Sequence, residues 1–110
     1  MPHPKKTNRF PEVQEMLNRA MDSERGIRIP MESKSQAFSI KMKIFAKKKD
    51  WREAYIKMYE DDPENPERHR DPFQLIHPEI HQDEAGGRWY LYIHKQDPFS
   101  NQFMIQAEEL

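Results

Sequence analysis

The spacing of apolar residues changes character along the chain. Phe10, Val13, Met16, Leu17, Ala20 and Met21 recur at helical intervals, with Pro11 suited to a first helical turn and Glu12 beside the positive end of the dipole. This predicts a helix over 11–22. In the following stretch Ile27, Ile29 and Met31 share one side at strand period, while Pro30 lacks a ladder donor, so a short edge strand is expected. Ser33 and Gln36 have capping-box spacing and precede Ala37, Phe38, Ile40, Met42, Ile44 and Phe45, which occupy one broad side of a second helix beginning near Lys34. The run Lys47-Lys48-Lys49-Asp50 interrupts that pattern before Trp51, Ala54, Tyr55 and Met58. Either one long kinked helix or two consecutive helices accommodates it.

Residues 60–72 contain three prolines and no large apolar side chain, which predicts an exposed acidic loop. Beyond it the period becomes two. Phe73 and Leu75, then Trp89, Leu91 and Ile93 against Tyr90, Tyr92 and His94, then Phe103 and Ile105 read as three strands, with Gly86-Gly87 and Asp97-Pro98 as turns. The expected architecture is α+β: an N-terminal helix, a short strand, a basic helix or helix pair, then a three-stranded antiparallel meander, with the helices on one sheet face. Residues 1–9, basic and Pro-rich without periodicity, form an expected flexible arm ahead of one domain over 10–110.

Composition adds constraints. A chain of 110 residues supports one modest core, and 12 aromatics (Phe 6, Tyr 4, Trp 2) offset a low apolar fraction of 35%. Without cysteine there is no disulfide framework, thiolate metal site or Cys nucleophile, and a reducing, cytoplasmic compartment is expected. No run approaches a membrane span, and the first residues lack a signal-peptide apolar region, so no membrane partner is expected.

Charge is split along the chain. Met1 to Tyr59 carries 14 Lys+Arg against 7 Asp+Glu, whereas Glu60 to Leu110 carries 4 against 12. Such polarity fits a basic surface that meets a polyanion, pairing of the two halves within the fold, or a homo-oligomer in which the basic half of one copy meets the acidic half of the next. Lys41, Lys43, Lys47, Lys48, Lys49 and Arg52 are the candidate phosphate contacts, because phosphate binding needs only positioned positive charge. Tyr90 and Tyr92, with Arg88 and Lys95 at their flanks, are candidate stacking platforms for unpaired bases if their strand face is open.

Other chemistry finds less support. His77 and His81 have a spacing that a helix would turn into a metal pair, but Pro78 and the strand setting place them roughly 13 Å apart, so no metal or other cofactor is expected. Asn65, Glu67, His69 and Asp71 could serve a compact nuclease, yet no catalytic triad, P-loop or dinucleotide turn accompanies them, and a non-enzyme is expected.

Arg25-Gly26-Ile27-Arg28-Ile29, followed by Ser33, Ser35-Gln36-Ala37, a basic helix and Asp71-Pro72-Phe73, resembles a pattern in short uncharacterised proteins encoded by bacteriophages. It spans about residues 25–75 and carries no binding or catalytic residues with it. The resemblance implies either a nucleic-acid-binding accessory protein, the favoured expectation, or a protein-binding inhibitor of a host enzyme acting through the acidic half.

Overall fold

The computed structural model describes residues 9–96. In chain order they form α1 (Pro11–Asp22), β1 (Gly26–Met31), α2 (Lys34–Met58), a 3-10 turn at Pro66–His69, β2 (Ile76–Gln82) and β3 (Trp89–Lys95). The class is α+β, with a three-stranded antiparallel sheet. Its order is β1-β3-β2, so the last strand lies in the middle and the strand nearest the N-terminus supplies an edge.

Each element follows from local chemistry. Pro11 opens α1, and Val13, Leu17 and Ala20 turn one fully buried stripe toward the sheet. Ser23 ends the helix: its hydroxyl accepts from the Gly26 backbone at 2.7 Å, drawing the chain toward β1. Gly26 enters that strand at φ +113°, where an added Cβ would run into the Ile93 carbonyl oxygen of β3. Pro30 sits on the edge strand as expected. Ser33 caps α2 by accepting from Gln36 N at 3.1 Å, and Gln36 Oε1 reaches back to Glu32 N at 2.7 Å.

Across the Lys47–Asp50 run α2 continues as one helix. Asp50 does not cap a new helix; its carboxylate takes two bonds from the guanidinium of Arg9, at 2.7 and 3.0 Å. Arg9 is thus tied to the domain, while residues 1–8 of the expected arm lie outside the described residues. The strand expected at Phe73 and Leu75 starts later, at Ile76. Bonds from Gln74 N to Asp71 O and from Ile76 N to Phe73 O make turns of this stretch, and Phe73 instead packs its ring edge against Trp51, 6.1 Å between centroids. The strand expected at Phe103 and Ile105 lies outside the described residues, and β1 provides the third strand of the observed sheet.

Both helices cover one sheet face. Leu91 and Ile93 of β3 and Ile76 of β2 are fully buried against Val13, Leu17, Ala20, Ala37 and Ile44. Each such side chain removed from water is worth about 1.5–3 kcal/mol. The apolar side of α2, however, is too broad for one sheet to cover. Ala37 and Ile44 face inward, whereas Phe38, Met42 and Phe45 stand 57, 49 and 42% exposed. The single broad face read from the sequence is therefore two: a buried seam and an exposed ridge.

Candidate functional site

The sheet face opposite the helices carries the densest chemistry. Antiparallel register places Arg28 and Glu79 on either side of Tyr92, His81 beside Tyr90, and His77 beside His94, all pointing away from the helices. Alternation along β3 sends Tyr90, Tyr92 and His94 to this face while Leu91 and Ile93 fill the core, as expected.

These side chains pack against one another. Tyr90 and Tyr92 lie 6.3 Å apart between ring centroids. His94 stacks on Tyr92 at 5.6 Å with planes 13° apart, and His81 meets the same ring edge-on at 4.8 Å. The guanidinium of Arg28 sits over Tyr90, 4.8 Å from the ring centre. Its pKa rises further above the usual value, chiefly through a hydrogen bond with Tyr92. Glu79 lies between two histidines, Oε1 3.3 Å from His81 Nε2 and Oε2 3.0 Å from His94 Nε2. The bond from His81, aided by the charges of both imidazoles and opposed by desolvation, holds the Glu79 carboxyl below the ordinary carboxylate range. Burial, then the charges of Lys48 and His94, lower the His77 pKa. Arg28, Asp83, Tyr90, Tyr92 and His94 are among the residues lining a shallow depression of about 570 Å³ here.

The expected phosphate-binding lysines lie elsewhere and are divided in role. Lys47 is completely buried, its ammonium donating to the Arg9 carbonyl oxygen. Lys48 is 8% exposed and donates to the Ile76 carbonyl oxygen at 2.6 Å. Desolvation lowers both ammonium pKa values. These two hold elements together in this fold and are withdrawn from any basic surface. Lys49 and Arg52 are exposed and Lys41 and Lys43 half-buried, but Lys49 approaches Glu53 at 3.8 Å, Arg52 approaches Asp71 at 3.7 Å, and Lys43 lies over the Phe10 ring at 5.5 Å. Since α2 packs on the covered face, these cations and the tyrosines do not form one site.

Lys95, expected beside the tyrosines, donates to the carbonyl oxygens of Met21 and Ser23 at the end of α1, at 2.7 and 3.1 Å. The nuclease-like residues are also taken up locally. Asn65 accepts from Glu67 N at 3.0 Å, Glu67 pairs with Arg70 at 3.1 Å, and Asp71 faces Arg52. Sequence reasoning missed Arg28 and the joining of Glu79 with His94. The alternation of β1 put Arg28 opposite its core residues, but which strand β1 would pair with was not visible.

No protein-family model, curated protein or solved structure matches the chain. Among the described residues no helix is long and apolar enough to cross a membrane.

Proposed function

We propose that this protein is a non-enzymatic accessory protein that binds single-stranded nucleic acid, with its bases on the sheet face built around Tyr90 and Tyr92. The observation that carries this reading is the aromatic row of β3, which no helix among the described residues covers and which has Arg28 fixed at its side. Unpaired bases stack on such rings regardless of sequence, each worth about 1–3 kcal/mol, and guanidinium groups add contacts to base and phosphate. Lys41, Lys43, Lys49 and Arg52 act from the other side of the molecule, raising the rate of encounter with a polyanion more than holding it. The resemblance to bacteriophage proteins gives a setting in which such an accessory would serve.

A protein-binding role, the rival reading, draws on the exposed ridge of Phe38, Met42 and Phe45 on α2. Fluorescence anisotropy with labelled single-stranded and double-stranded DNA and RNA, at low and physiological salt, separates the two. Stacking predicts a preference for single strands that Tyr92→Ala weakens and Phe45→Lys leaves intact. No binding at low salt would discard the nucleic-acid reading and leave the protein partner.

A further inference from the structure

Glu79, His81 and His94 bring a carboxylate oxygen and two imidazole nitrogens within 4.8 Å of one another. Along β2 the two histidines, His77 and His81, stand too far apart in an extended strand to share one ion. The ladder changes that. Glu79 lies diagonally across from His94, within reach of a long side chain, and His81 leans along the face toward Tyr92.

We propose that Glu79, His81 and His94 form a binding site for a single divalent transition-metal ion, with Zn²⁺ the best match. Two imidazoles and one carboxylate are a recognised zinc donor set, with bonds of about 2.0–2.2 Å. Tetrahedral donors at such distances stand roughly 3.4 Å apart. Glu79 reaches His81 through Oε1 at 3.3 Å and His94 through Oε2 at 3.0 Å, and one donor atom from each residue lies within 4.8 Å of the others, so small side-chain rotations suffice to close the set around an ion. The imidazoles bring further support. Nε2 of His94 is shut off from solvent, yet it is not aligned for a hydrogen bond although Glu79 Oε2 lies 3.0 Å away. Tyr92 stacks on His94 and meets His81 edge-on, so one ring restrains both ligands, as outer-shell groups do in metal sites. Three protein ligands leave the fourth position to water or an anionic oxygen, the arrangement of an open rather than a purely structural zinc site.

Titration calorimetry of the full chain with Zn²⁺ tests this, compared with Glu79→Gln, His94→Ala and the neighbouring His77→Ala. The expected result is one ion per chain, with affinity falling by at least about 10- to 100-fold in Glu79→Gln and His94→Ala, the loss that even an outer-shell partner produces, and little change in His77→Ala. Histidine-ring NMR on the wild-type protein gives a second readout that no variant's folding affects: zinc should shift His81 and His94 ahead of His77. Absence of stoichiometric binding, equal losses in all three variants, or shifts centred on other histidines would overturn the proposal.

Discussion

The Lys48 ammonium donates to the carbonyl oxygen of Ile76 at 2.6 Å, joining the middle of α2 to the first residue of β2 beneath the sheet. A lysine that reads as surface charge is thus a structural tie. Lys48→Glu is expected to destabilise the fold by about 3–5 kcal/mol, because it buries an unpaired charge and removes the donor. Lys49→Glu, one residue along on the exposed side, should change stability by no more than about 0.5 kcal/mol. Urea denaturation of both variants checks the contrast.

The same tie carries a pH signature. Burial lowers the Lys48 pKa in the folded protein from 10.5, against the raising effect of Asp71. The unfolded chain therefore holds more protons than the folded one in the alkaline range below 10.5, and stability rises with pH through the folded pKa. Lys48→Met removes this contribution. The difference in unfolding free energy between wild type and Lys48→Met should move in favour of wild type as pH is raised from about 8 toward about 10. A difference independent of pH would mean that the lysine titrates alike in both states.

Adjacent residues on α2 differ sharply in what they hold. Ile44 is fully buried and Phe45 is 42% exposed. Ile44→Ala is expected to cost about 2–5 kcal/mol, whereas Phe45→Lys should cost about 0.5 kcal/mol or less and improve solubility. Thermal unfolding monitored by circular dichroism gives both values.

Gly26 has no substitute at its position. Its φ of +113° and its approach to the Ile93 carbonyl oxygen leave no room for a Cβ. Gly26→Ala should destabilise by more than about 1 kcal/mol, while Gly87→Ala, with open space around it, should be close to neutral. Hydrogen exchange would show the Gly26 variant losing protection first at the β1–β3 ladder.

Stacking and charge make separable predictions for nucleic-acid binding. Tyr90→Ala and Tyr92→Ala should each weaken single-strand affinity by about 1–3 kcal/mol with an unchanged salt slope. Lys49→Glu should instead act mainly on the association rate at low salt. Stopped-flow and equilibrium anisotropy together resolve the two effects.

Much of the local structure was written in the sequence. Helical spacing from Val13 to Ala20, the Ser33–Gln36 cap, the edge character imposed by Pro30 and the alternation from Trp89 to Lys95 depend on neighbours along the chain, and each emerged as read. Phe73 did not continue into a strand, because turn bonds to the carbonyl oxygens of Asp71 and Phe73 and a niche beside Trp51 outweighed its strand preference. What only the tertiary structure decided was pairing and burial. β1 joined β3 and brought Arg28 to Tyr90; the β2–β3 register carried Glu79 to His94; and packing drew Lys47 and Lys48 inside while leaving Phe38 and Phe45 in solvent. Periodicity states which residues share a side of an element. Which side is covered, and by what, depends on partners distant in sequence that local spacing does not encode.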